Sequence, residues 1–209
     1  MLLYQVTTKT GANIVDEAEA LLKDSTNNIW SEAEMLQALK QSVRKLYPDI
    51  FTPKVDTSLS TDGTSFSFTI PSTLDLIMGV QIRANSQSQY ESIRYSTEWD
   101  GSDNKLNLYD KYQSGLSIKL LGGTRLAVPA ALGDALDVPI DAEDLLITAI
   151  KMECMEMLLL DKGKLNQFAA REQGVTEVDV INMIDMLKRD YTRRKDEVAT
   201  MLISLMTRI

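Results

Sequence analysis

The sequence predicts an α+β protein: a four-helix bundle formed by the two ends of the chain, with an inserted antiparallel β sandwich or barrel and a long C-terminal helix. Three observations lead there. Apolar residues recur at helical spacing over residues 11–47 and again over 141–205. Between them, from 55 to 128, the apolar period drops to two. Glycine, asparagine and aspartate clusters punctuate that middle stretch as turns. The expected domains are therefore a helical one over 1–52 and 130–209 and an inserted β domain over 53–129.

The first helix is expected over 13–23, where Ile14, Ala18, Leu21 and Leu22 share a face and Asp16, Glu17 and Glu19 lie toward the start. A polar turn follows at 24–28. The second helix opens on Ser31 and Glu34, a capping box in which the hydroxyl accepts the Glu34 amide and the carboxylate reaches back. Trp30 and Met35 flank it as a hydrophobic staple. Met35, Leu36, Leu39, Val43, Leu46 and Tyr47 continue the apolar face to Pro48, which stops the helix. With so short a connection, the two form an antiparallel hairpin.

In the middle, Phe66, Phe68 and Ile70 alternate with serine and threonine. Val80 and Ile82, Leu106 and Leu108, then Leu116, Ile118 and Leu120 repeat the pattern. Turns are expected at Thr61-Asp62-Gly63, Asn85-Ser86, Asp100 to Asn104, Ser114-Gly115 and Gly122-Gly123. The spacing suits about five or six short antiparallel strands.

Asp141 caps a third helix whose apolar residues, 145–160, surround it on most faces, as in a helix buried between neighbours. It is expected to run past Gly163 to about 171. Gly174 breaks it, and Thr176 with Asp179 starts the last helix. There Val180, Ile184, Leu187, Tyr191, Arg194, Val198, Met201 and Leu205 keep a four-three spacing interrupted only by Arg194. About thirty residues span roughly 45 Å, more than the shorter helices cover. The expectation is that 198–209 projects and seeks a partner, and that deleting it leaves the fold intact.

Composition narrows function. The net charge is −8, so the average surface repels duplex DNA. Histidine is absent and Cys154 is the single cysteine. That removes the usual zinc ligands, the usual neutral-pH base, and the histidine-dependent nucleophile systems. No enzyme, cofactor or metal is expected. The N-terminus lacks a basic leader, and no apolar run reaches about eighteen residues, so neither a signal peptide nor a membrane span is expected. A lone cysteine fits folding in a reducing cytoplasm.

The local motifs have plain readings. Lys188, Arg189, Arg193, Arg194 and Lys195 interleave with Asp185, Asp190, Asp196 and Glu197 and read first as a self-paired helix face, then as a docking surface for an acidic partner, and last as a nucleic-acid grip. The segment from Asp100 to Asn104 reads as a hairpin turn before a calcium loop, and Gly122-Gly123 as a turn before a phosphate cradle. Met152, Met155 and Met157 read as core fillers, and Cys154 as a buried, inert thiol.

Several stretches together resemble one family. Ile14-Val-Asp-Glu-Ala-Glu-Ala-Leu-Leu-Lys-Asp, followed by Trp30-Ser-Glu-Ala-Glu-Met-Leu-Gln-Ala-Leu-Lys-Gln-Ser-Val-Arg-Lys-Leu-Tyr-Pro48, resembles the opening of tailed-phage adaptor (head-to-tail connector) proteins. Phe68-Thr-Ile-Pro71 with Leu76-Ile-Met-Gly-Val-Gln-Ile resembles the family's proline-led strand. Residues 138–164 resemble the lead into its buried third helix. The chain departs from the pattern in its longer serine- and threonine-rich stretch at 56–67 and in its extended last helix.

The resemblance implies a virion structural protein, made in the host cytoplasm, that forms a ring, usually dodecameric, in the virion neck. Its implied partners are the portal protein and tail tube or nozzle proteins, with packaged DNA passing through non-specifically and no membrane involved. In the family the C-terminal segment docks on the portal, which makes Tyr191, Arg194, Val198, Met201, Leu202 and Leu205 the portal-docking candidates here. Two other functions stand beside it. One is a DNA-packaging factor like a small terminase subunit. The other is a receptor- or carbohydrate-binding tail component using Tyr90, Tyr95, Trp99, Tyr109 and Tyr112.

Overall fold

A computed structural model of the chain describes residues 5–24, 28–83, 89–172 and 174–206. The expected Asn85-Ser86 turn, the middle of the 24–28 turn and the last three residues of 198–209 lie outside them. The protein is mixed α and β. In chain order come α1 (Gly11–Leu22), α2 (Glu32–Leu46), β1 (Thr52–Ser60), β2 (Ser67–Thr69), β3 (Leu76–Arg83), β4 (Glu91–Ser92), β5 (Tyr95–Trp99), β6 (Asn104–Leu108) and β7 (Ser117–Thr124). A 3-10 turn (Ile140–Ala142), α3 (Glu143–Leu160), α4 (Lys162–Arg171) and α5 (Glu177–Met206) follow. Two compact units result: one from Met1–Phe51 with Leu126–Met201, the other from Thr52–Arg125 with Leu202–Ile209.

The helical unit joins the two ends of the chain through backbone hydrogen bonds. The first amides of a helix have no partner within it. In α1 the Gly11 and Ala12 N–H groups donate to the carbonyls of Asp134 and Leu132, at 3.0 and 2.6 Å. Glycine at position 11 permits this close approach, since a Cβ there would stand 2.9 Å from the end of the Leu39 side chain and 3.0 Å from the Leu132 carbonyl oxygen, and both would have to give way. Thr10 and Asn13 form a capping box that sets the helix start before the expected one. Upstream, the Thr7 N–H donates to Val138 at 2.8 Å, its hydroxyl donates to Glu143, and Lys9 pairs with Glu143 at 2.9 Å.

The α1–α2 turn is organised by Asp24, whose carboxylate is 1 % exposed. It accepts from the N–H groups of Asn28 (3.2 Å), Ile29 (3.1 Å) and Trp30 (3.0 Å). Arg171 of α4 donates to Asp24 at 3.2 Å and to the carbonyls of Leu22 and Lys23 at 2.8 and 2.9 Å. From α4's other end, Lys164 donates to the Ile29 carbonyl (2.8 Å) and to Glu34 (2.5 Å). The Ser31–Glu34 capping box is present. Trp30 and Met35 are fully buried. The Trp30 indole N–H donates to the Cys154 carbonyl at 3.0 Å, and its ring meets Phe168 edge-on at 6.1 Å. Tyr47 takes an extended conformation before Pro48, as a residue preceding proline prefers, and α2 ends there.

The expected third helix is two, and Asp141 does not cap the first of them: it lies inside the 3-10 turn, and α3 starts from Ala142 with no side-chain cap. Asp161 is extended (φ −129°, ψ 101°), and its carboxylate accepts from the Gly163 and Lys164 N–H groups at 2.8 and 3.2 Å. A side chain that caps a new helix competes with the backbone bonds that would prolong the old one. Among the described residues there are thus five α-helices.

The β unit has two antiparallel sheets, ordered β1-β7-β3-β4 and β2-β6-β5, and neither closes into a barrel. Leu74, Val80, Ile82, Leu106, Leu108, Ile118 and Leu120, contributed by both sheets, form one buried cluster. β7 is buried on both faces, because Leu121 on the side away from that cluster lines a concavity with Ile203 and Met206 of α5. Gly122-Gly123 is therefore no turn at a strand end, but lies inside this central strand. A Cβ on Gly122 would come within 2.0 Å of the Leu76 carbonyl oxygen, so β3 and β7 pass each other at a distance only glycine allows.

Arg171→Ala leaves the Asp24 carboxylate buried without its counter-charge. Chemical denaturation should show a loss of about 3 kcal/mol, the low end of the range for a broken buried pair because Arg171 is partly exposed. A second expectation concerns acid. Lys164 holds the Glu34 carboxyl below its usual range, against the upward push of partial burial, with the Ser31 N–H and hydroxyl assisting. The folded chain releases this proton more readily than the unfolded one. The resulting stability is therefore complete above the ordinary value of 4.5 and is lost as pH falls through the lower folded value. Thermal melts of Glu34→Gln should accordingly show a shallower loss of Tm below pH 4.5 than the unaltered protein.

Candidate functional site

The strongest candidate surface in the sequence is the last helix. α5 begins where expected: the Thr176 N–H donates to Asp179 at 2.8 Å and the Asp179 N–H to the Thr176 hydroxyl at 3.3 Å. Val180, Ile184, Tyr191 and Val198 are buried. Tyr191 donates to the Lys45 carbonyl at 3.5 Å, and the Lys195 ammonium sits 5.9 Å from its ring centre. Burial pushes the Tyr191 phenol up to about 12, with the carboxylates of Asp49 and Glu153 adding to the effect.

The six portal-docking candidates do not form one exposed stripe. Tyr191, Val198 and Leu202 are interior, Leu202 completely. Arg194, Met201 and Leu205 are half-buried. Leu202 and Met206, the latter 1 % exposed, group with the β unit, so the last described turns do not project as a free arm. The reason is geometric. A straight α-helix drifts by about 20° per heptad against a strict 3.5-residue repeat. After Val198 the buried positions step to 202 and 206 in place of 201 and 205. Met206 is the residue missed, and a 3.6-residue period carried to the end of the helix would have found it.

The basic cluster is spent on ion pairs. Arg193 meets Asp190 at 2.8 Å and Glu197 at 2.7 Å, and Arg194 meets Asp190 at 2.8 Å and Asp144 at 3.5 Å. Lys188 reaches Glu156 at 3.0 Å and Lys195 reaches Asp49 at 2.7 Å, which fastens α5 to the rest of the helical unit. Of the five, Arg189 alone makes no ion pair among the described residues.

Asp100 turns its carboxylate inward on its own loop. It accepts the Ser102 and Asp103 N–H groups at 2.8 Å each and pairs with Lys105 at 3.3 Å. Those amides, Asp103's first, hold it well below the usual carboxylate range. A carboxylate so engaged makes a hairpin turn. Among the described residues no three histidine, cysteine, aspartate or glutamate side chains gather as a metal site would need.

The five aromatics are dispersed. Tyr95 and Tyr112 pack against the β core, and Tyr90 lies between Arg83 (4.6 Å) and Lys119 (5.1 Å). Trp99 and Tyr109 are exposed, but the pairing of Trp99 with Asn104 and of Tyr95 with Leu108 puts them at opposite ends of the β5–β6 ladder. Cys154 is fully buried, with its sulfur 3.4 Å from that of Met35, and burial raises its thiol far above the reactive range. No helix among the described residues is long and apolar enough to cross a membrane. No protein-family model matches the chain, and no curated protein matches it.

Truncation after Met201 removes Leu202 and Met206 from buried positions. The melt of the shortened protein should reveal a loss of at least about 3 kcal/mol, since each large-to-nothing change in a core costs about 2–5 kcal/mol. An unchanged melting temperature would mean that these turns carry no packing.

Proposed function

We propose that this chain is a tailed-phage head-to-tail adaptor: a virion structural protein that forms a ring in the neck, bridges the portal to the tail and lines the DNA passage. In this reading the helical unit is a bundle forming the ring wall, and the β unit is a sandwich inserted into it that meets tail proteins. The observation that carries the proposal is a helical unit drawn from residues 1–51 and 126–201, interrupted in the sequence by an antiparallel β unit. Its second helix opens on the Trp30-Ser31-Glu34 motif at the centre of the family resemblance.

Electrostatics supports the same reading. A passage for a polyanion works best when it holds the polymer nowhere, and an acidic chain whose basic cluster is largely consumed by internal pairs meets that requirement. A packaging factor would instead need a free basic patch. A carbohydrate module would need Trp99 and Tyr109 on one platform. The portal contact falls to the half-exposed candidates, Arg194, Met201 and Leu205, because Tyr191, Val198 and Leu202 serve the interior.

Negative-stain micrographs of the purified protein mixed with portal rings should show a second ring stacked coaxially on the portal. Met201→Asp with Leu205→Asp should reduce that stacking without lowering the helical circular-dichroism signal. Lone particles with no affinity for portal rings would overturn the assignment.

A further inference from the structure

Two contiguous cavities of about 280 and 470 Å³ run along the helical unit between α1 and α5, over α3, and share Leu21, Lys151 and Leu187. Together they make one open groove. Its floor is apolar, with Leu22, Ile147 and Met155 buried beneath it. Leu21 and Met186 also line it, 59 % and 71 % exposed, so the apolar surface extends from the floor to solvent.

Lys151 lies half-buried on this floor and makes no ion pair among the described residues. The carboxylates around the groove are taken by other cations. Glu17 is held by Lys9 at 2.7 Å, Asp144 by Arg194 at 3.5 Å, Asp190 by Arg193 and Arg194 at 2.8 Å, and Glu172 by Lys23 at 3.0 Å. The Lys151 ammonium is left without a counter-charge among the described residues, and an incoming carboxylate carried between apolar side chains would supply one.

Helix α5, one wall of the groove, carries that combination on its other flank. Val178 and Ile181 are exposed at 64 % and 42 %, and Asp185 follows on the same stripe, exposed and without an ion pair among the described residues. At about 100° per residue, this stripe and the groove-lining Met183, Leu187 and Arg194 lie on nearly opposite sides of α5. No copy can therefore fill its own groove with its own stripe.

We propose that the groove receives the Val178–Ile181–Asp185 stripe of a second copy of this chain, with Asp185 over Lys151. The inference rests on the ring reading above and supplies its subunit contact. A groove and its complement on opposite flanks make a head-to-tail interface, the kind that closes into a ring when the rotation allows. The docking is that of an amphipathic helix laid in an apolar groove with one buried charge pair fixing register.

Charge reversal of the full-length protein tests it, with self-association followed by native mass spectrometry and light scattering up to about millimolar concentration. Lys151→Glu and Asp185→Lys should each weaken association by about tenfold or more, and the double reversal should restore it. A melt of each variant checks that it is folded. In parallel, Leu21→Cys with Ile181→Cys should give an intermolecular disulfide ladder extending beyond dimers, read on non-reducing gels against the buried-thiol background of Cys154. Rings that persist unchanged through both single reversals, with no ladder, would overturn this contact and leave the ring reading standing. Weakening by the single reversals without rescue by the double would overturn the Lys151–Asp185 pairing. A chain that stays monomeric at every concentration would overturn the contact and deprive the ring reading of its self-assembly.

Discussion

The carboxylate of Asp24 is the constraint on which the helical unit depends. Three consecutive backbone amides converge on it, and Arg171 neutralises it while gripping the carbonyls at the end of α1. A buried charge so surrounded fixes a turn in one conformation, because any alternative leaves the charge without partners in a medium that tolerates it poorly. The turn in turn aims α2, delivers Trp30 onto the Cys154 carbonyl and Phe168, and sets α4 across the hairpin. Packing of α5 through Tyr191 and its ion pairs builds on that platform.

The legible parts were those dictated by local chemistry. Ser31 with Glu34, Pro48 after Tyr47, and Thr176 with Asp179 each name their own geometry, and each appears in the structure. Cys154 among apolar neighbours on a helix apolar all round had one sensible location. β1 was harder, since Val55 and Leu59 are its only apolar residues beside Pro53, and it forms the exposed edge of its sheet. One helix was expected to run past Gly163, whereas Asp161 just before it supplies a new helix start.

What lay beyond local reading was long-range. Nothing in the composition of 198–206 distinguishes a seam awaiting an outside partner from one packed against the same chain; only the angular drift of the helix decides. The knot around Asp24 joins residues nearly 150 positions apart, and the sequence distance between Arg171 and its partner hid it. The groove over Lys151 likewise needs four helices in place before its unpaired lysine has meaning.

The tight passage of β7 past β3 at Gly122 has a bearing on heredity. Wherever this sheet is retained, the position tolerates no side chain unless two neighbouring backbones separate. A chain whose surface has changed past recognition would still be obliged to keep that small gap, because the demand comes from two backbones and from no partner or ligand.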